Sequence, residues 1–298
     1  MSAIALAQIF ALLTAFGFAA GDTAVLFALR TSTPITGILT LSAITLLIYG
    51  PIALATYPVS EIGLQGFFIF LAAGIASPGL AGTFLYMSFR RIGLSRSITI
   101  SSSAPLFTIL FAVITLGERP TAGVYLGTLL IVAGVMVLAQ EQRSHSKSLA
   151  EGKSVWHAFI FVILATIMFV LAAIFRKIGV ALIPSLSVGL SISAMGGLLV
   201  VALWHPFLPK ADRVRIARPA LGFFIISGIL SSSGHLAFFA ALQRGPLSIV
   251  APLVYTSPLF ALVLAWLLIR EEERLNARVV FGAILICAGA ALVTMSRA

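Results

Sequence analysis

Charge is what this sequence has least of. Of 298 residues, 9% are Asp, Glu, Lys or Arg, and only 9 are acidic. A soluble globular domain carries about 25% charged residues, so most of this chain cannot present an aqueous surface. Cysteine occurs once, as Cys287, which excludes an intrachain disulfide and a cysteine metal cluster. No two histidines have ligand spacing with carboxylates, so no metal is expected. Glycine-rich phosphate loops are missing, and no cofactor is expected. Long polar stretches are missing too, save Gln140 to Ser154. That leaves no room for a nucleotide-binding domain.

What the chain does have is apolar length. It is 60% hydrophobic, with a mean hydropathy of +1.13. A helix needs about 20 apolar residues to cross about 30 Å of hydrocarbon. Proline and polar punctuation divides the sequence into ten such spans, at 4–29, 35–56, 64–89, 95–116, 121–139, 155–175, 184–204, 219–242, 247–269 and 276–295. The expected fold class is an all-α polytopic membrane protein, with the lipid bilayer as its surroundings. The N-terminal MSAIALAQIF lacks a basic region, and its apolar run continues past Phe18-Ala19-Ala20 to Arg30. The first segment is therefore expected to be a retained helix, not a signal peptide. The net charge of +10 sits in short basic runs between the spans. That is a topology signal, so no nucleic-acid partner is expected.

The two halves resemble each other. Without a gap, Arg91, Leu94, Ser95, Pro105, Leu106, Phe107 and Glu118 align with Arg244, Leu247, Ser248, Pro258, Leu259, Phe260 and Glu271. A two-residue insertion then sets Gly127 and Gly134 opposite Gly282 and Gly289. Each glycine pair is seven apart and lies on one helix face, where close helix approach is possible. Residues 1–140 form the first half, 141–154 a polar linker and 155–298 the second half. Five spans per half is an odd number, so the second copy inserts upside down. Inverted repeats of this kind build secondary transporters, with a central cavity between the repeats. Loops after odd-numbered spans hold 14 of the 19 basic residues, and the remainder hold Arg119, Arg176, Lys177, Arg244 and Arg297. The bias places the linker in the cytoplasm and both termini outside a plasma (inner) membrane.

The duplicated order resembles the EamA family of the drug/metabolite transporter superfamily. It runs from Gly82 to Arg91, through Ser95 to Leu116 with its central Pro105, then Gly117-Glu118-Arg119, then Gly127 and Gly134. The second copy repeats it from Gly234 to Gly289, and Phe175-Arg176-Lys177 resembles the end of the family's first helix. The chain departs from the family in carrying Phe16-Gly17 for its usual Trp-Gly, and in having no Arg in 35–56. The resemblance implies small-metabolite transport by alternating access. Such families include amino-acid exporters, aromatic ones among them, and nucleotide-sugar and sugar-phosphate carriers.

Several residues are candidates for that chemistry. Asp22 is the acidic residue well inside a span, suited to proton coupling or to a substrate amine; the alternative is a neutralised or snorkelling carboxylate. His235, in the SSSGHLAFF run, could bind substrate or carry a proton, or simply be a hydrogen-bonded interior residue. Ser101, Ser102 and Ser103 precede Pro105, as Tyr255, Thr256 and Ser257 precede Pro258. Two kinked, polar-lined helices at matching positions suit a central pathway, although hydroxyls also repair broken helices. Tyr86 and its repeat-mates Phe238-Phe239 would suit an amphipathic organic substrate, or serve as packing. Glu118 and Glu271 are expected to be structural.

Three function classes compete. An intramembrane hydrolase is suggested by Ser233-Gly234-His235, but adjacency is not triad geometry and no nucleophile elbow is present. A channel would need a charged ring or carbonyl filter. A transporter of small amphipathic metabolites, amino acids foremost and without enzymatic activity, fits the duplication. A strongly anionic substrate is disfavoured by the scarcity of embedded cations. The chain is expected to act as a monomer on a small-molecule substrate.

Overall fold

The computed structural model describes residues 2–92, 94–141, 155–268 and 277–296. Linker residues 142–154 and Glu271 fall outside the described residues, as does the side chain of Tyr86. Among the described residues there are thirteen α-helices. They are α1 (Ala3–Leu29), α2 (Pro34–Thr56), α3 (Leu64–Gly74), α4 (Ala81–Ile92), α5 (Leu94–Ser101), α6 (Ala104–Leu116) and α7 (Ala122–Glu141) in the first half. The second half has α8 (Val155–Leu182), α9 (Leu186–Trp204), α10 (Arg218–Arg244), α11 (Leu247–Val254), α12 (Ser257–Leu268) and α13 (Ala277–Met295).

Together they make ten segments long and apolar enough to cross a membrane, five in each half. Large apolar side chains such as Leu47, Leu126 and Leu203 face outward, as a lipid-facing surface requires. Inside the segments, threonine hydroxyls bond back to carbonyls one turn earlier, as Thr14 does to Phe10 and Thr166 to Val162. Hydrocarbon offers these groups no other partner.

Three of the ten segments are broken. The fourth and ninth break just ahead of Pro105 and Pro258, between α5 and α6 and between α11 and α12. Each proline is thus the second residue of a new helix, where the N–H it lacks would be unbonded in any case. The third segment also breaks, where the sequence predicts continuous helix over 64–89. Ser77, ahead of Pro78, is extended at φ −151° and ψ 126°.

Packing follows an approximate two-fold axis relating the halves. α1 packs on α10 as α8 packs on α3 and α4; α1 meets α11 and α12 as α8 meets α5 and α6. Two contacts lie on the axis itself, α2 with α9 and α7 with α13. The predicted glycine faces form the second of these. A Cβ added to Gly127 would lie 2.6 Å from the Gly289 carbonyl oxygen, and one on Gly134 2.6 Å from that of Gly282. Backbones this close gain dispersion contacts that lipid cannot supply.

Candidate functional site: a closed central cleft

The broken third segment creates an orphan. Pro78 has no N–H, and the Ala81 N–H is taken by the carbonyls of Ala76 and Pro78. The Ser77 carbonyl is therefore left facing inward without a helical donor. Arg176 supplies one, its Nη2 donating to Ser77 O at 2.5 Å. The sequence reading ends the sixth span at 175 and leaves Arg176 and Lys177 in a loop. In the structure α8 runs on to Leu182, and Arg176 is only 6% exposed. Its guanidinium carbon lies 5.9 Å from the ring centres of both Phe238 and Phe239, within cation–π range.

Arg176 lines a small internal cavity together with Ser42, Thr45, Pro78, Ser193, His235 and Phe239. Its volume is about 20 Å³, roughly room for one water. Two buried polar atoms on its wall have no partner, Arg176 Nε and Ser42 Oγ. His235 Nδ1 lies 2.8 Å from the Ser231 carbonyl. A carbonyl only accepts, so Nδ1 carries the hydrogen and Nε2 remains the ring's acceptor. The imidazole rests against Phe18 at 4.6 Å between ring centres. Phe239 stacks on Phe70 at 5.6 Å. The cleft thus combines a cation, a hydroxyl and an imidazole with aromatic walls.

On one side the cleft approaches a larger cavity of about 450 Å³, lined by residues including Ile38, Thr83, Met87, Arg91 and Asp212. Ile38 lies one turn along α2 from Leu41 and Ser42. The opposite end of the molecule is tied together across the two halves. Gly117 ends α6 in the left-handed region at φ 66°, which turns the chain so that Glu118 reaches the second half. Its carboxylate accepts from the Leu247 and Ser248 amides at 2.7 and 2.8 Å. These are the first donors of α11, where the helix dipole favours an anion. Lys177 Nζ donates to the Leu242 and Gly245 carbonyls at 2.6 and 2.8 Å, capping the end of α10. Gln243 bonds the Pro184 carbonyl, and Arg244 lies 5.0 Å from the Phe10 ring centre.

Of the predicted site residues, His235 and Phe239 line the cleft. Ser101 and Ser102 sit at the break before α6, and their hydroxyls donate to the Ile98 and Thr99 carbonyls. They repair the break, as Ser103 does at Ile100. Tyr255 caps α11 at the matching break and is half-buried. Asp22 lies on α1 and is exposed. Tyr86 is on α4. Ser101, Ser102, Tyr255 and Asp22 do not border the small cavity. Sequence reasoning missed Arg176, Ser42 and the Ser77-Pro78 break. Two signals were present: Ser77-Pro78-Gly79 in mid-span, and an apolar run from Ile178 to Ile183 beyond the Arg-Lys pair.

The family model of the EamA-like transporter family matches twice, over residues 5–140 and 156–295. No curated protein sequence matches. A solved crystal structure, 14% identical, aligns with a TM-score of 0.78 over 96% of this chain and 95% of its own. At that identity the likeness concerns the fold alone.

Proposed function

This chain belongs to the EamA-like transporter family, and on that premise we propose that it exports small amphipathic metabolites by alternating access. Amino acids with aromatic or other apolar side chains are the substrates proposed first. Members of the family are transporters and not enzymes, which leaves the hydrolase reading without support. The observation that carries the proposal is the cleft itself. A small cavity that sets Arg176, Ser42 and His235 among apolar and aromatic walls lies between the two halves, which Glu118 ties together at one end, with a cavity of about 450 Å³ toward the other. Transporter sites lie between repeats in this way.

Orientation follows from the basic residues. The odd-numbered loops hold 14 basic residues against 5 elsewhere; helices take residues from both sides, Arg176, Lys177 and Arg244 from the 5 and Arg90, Arg91, Arg96, Arg218 and Arg278 from the 14, and the bias stands. On that bias we propose that the vestibule faces the cytoplasm of a plasma-membrane protein, with the Glu118 end and both termini outside. Asp22 is the proposed proton-coupling residue. Tyr255, Ser101, Ser102 and Tyr86 are proposed to line the pathway when the cleft widens. A single chain holds the whole cleft, consistent with a monomer.

Counterflow in proteoliposomes tests this reading. Vesicles loaded with an unlabelled aromatic amino acid, without a proton gradient, are expected to take up the same labelled compound saturably. In a Tyr255→Ala chain of normal yield, the rate is expected to fall about tenfold. Wild-type counterflow in that variant removes Tyr255 from the pathway. No counterflow for any amino acid by folded protein overturns the amino-acid assignment.

A further inference from the structure

Arginine keeps its charge in folded proteins. Arg176 is 6% exposed and lies within a membrane-spanning helix. Its partners are the Ser77 carbonyl and the faces of Phe238 and Phe239, none of them anionic. One carbonyl and two ring faces offset the desolvation of a full charge only in part, and an anion would complete the match. Nε is unpaired, and so is Ser42 Oγ, 1% exposed on the wall of the same cavity. Both are donors. Orphan buried donors are uncommon in native proteins, and two on one cavity wall are available to an acceptor.

We infer that Arg176 and Ser42 form the docking point for the carboxylate of the transported solute. This rests on the transporter reading above and narrows its substrate class to monoanionic or zwitterionic carboxylic acids. A carboxylate presents two acceptor oxygens, which suit the guanidinium fork and a neighbouring hydroxyl. One cation matches one negative charge, which favours a carboxylic acid over a phosphate dianion. His235 completes the match to an α-amino acid. Its Nε2 offers a lone pair on the same wall, able to accept from an ammonium. The cavity holds about 20 Å³, so the solute enters from the vestibule as α2 and the broken third segment move apart past Ile38 and Thr83. One embedded cation agrees with the expectation that a strongly anionic substrate is disfavoured while a single carboxylate is accommodated.

The test uses the full-length purified chain and four probes: phenylalanine, phenylalaninamide, 2-phenylethylamine and 3-phenylpropionate. Thermal stabilisation in detergent reports binding, and counterflow reports transport. Phenylalanine and 3-phenylpropionate are expected to stabilise the wild type, with the amide and the amine at least about tenfold weaker. Arg176→Gln is expected to abolish that preference for the carboxylate. It also removes the cap on Ser77, so Ser42→Ala serves as the second variant. Ser42 has no partner to lose, and its variant is expected to fold normally while binding both carboxylates several-fold more weakly. Equal stabilisation by the acid and the amide, or an unchanged preference in Ser42→Ala and Arg176→Gln, overturns the docking point. Counterflow alongside that result leaves the transporter reading standing. Carboxylate binding through Arg176 without exchange of any probe supports the docking point and removes the transport reading. No binding and no counterflow overturns both.

Discussion

A Glu118→Gln chain is expected to open the end that Glu118 ties together. In the native structure the Glu118 carboxylate takes two amide hydrogens from the start of α11, at 2.7 and 2.8 Å. Hydrogen bonds to an ionised acceptor contribute about 1.5–3 kcal/mol each. Glutamine keeps the volume but offers one oxygen, and its NH₂ would face the second amide, donor against donor. A loss of about 2 kcal/mol shifts the population of the tied state by roughly thirtyfold. Cys287 is exposed, so Cys287→Ser gives a clean background. Ala251→Cys then serves as reporter, on α11 one turn beyond Leu247 and 4% exposed in the tied state. Labelling by a membrane-impermeant maleimide should quicken at least about tenfold in Glu118→Gln, from the side that faces the termini. An unchanged rate means that Glu118 does not hold this end shut.

The second large effect is structural. A Cβ on Gly74 would lie 1.8 Å from the Ser193 carbonyl oxygen and 2.6 Å from its carbon. Both are backbone atoms, so no rotamer relieves the clash. α3 and α9 would have to separate, and the same movement would loosen Gly196, whose own missing Cβ lies 2.4 Å from the Leu71 carbonyl oxygen. Overpacking commonly costs about 1–3 kcal/mol and sometimes more; a backbone collision at a helix crossing belongs at the upper end. Gly74→Ala is expected to lose its monodisperse size-exclusion peak, or to melt about 10 °C or more below wild type. Gly222 is the control, since nothing lies within 4 Å of a Cβ there. Gly222→Ala should melt at or above the wild-type temperature, because alanine is the better helix former. Equal melting of the two variants would show that α3 and α9 tolerate separation.

Much of the architecture could be read from residue order. The ten spans, the two halves and the glycine faces of α7 and α13 follow from hydropathy, duplication and helical period, which are local or repeated signals. Arg176 was misplaced for a physical reason. A cationic pair at the end of an apolar run looks like an interface anchor, and only its partner shows otherwise. That partner is the Ser77 carbonyl, 176 − 77 = 99 residues away and exposed by a break in another helix. Likewise Ser42 looks like any helical serine until the cavity wall is assembled. The serines before Pro105 show the alternative their spacing left open: in this state their hydroxyls donate to carbonyls of their own helix. Which face of a helix turns inward depends on neighbours that periodicity does not identify when both faces are apolar.

The contact between α7 and α13 has a further meaning. Gly127 meets Gly289 and Gly134 meets Gly282, each across the approximate two-fold axis. If the two halves exchange roles as the protein turns from one side of the membrane to the other, this contact maps onto itself. It then has the same energy at the start and the end of the cycle. The pair acts as a stator, an energetically silent spine, and the work of switching falls to contacts away from the axis, the Glu118 latch among them.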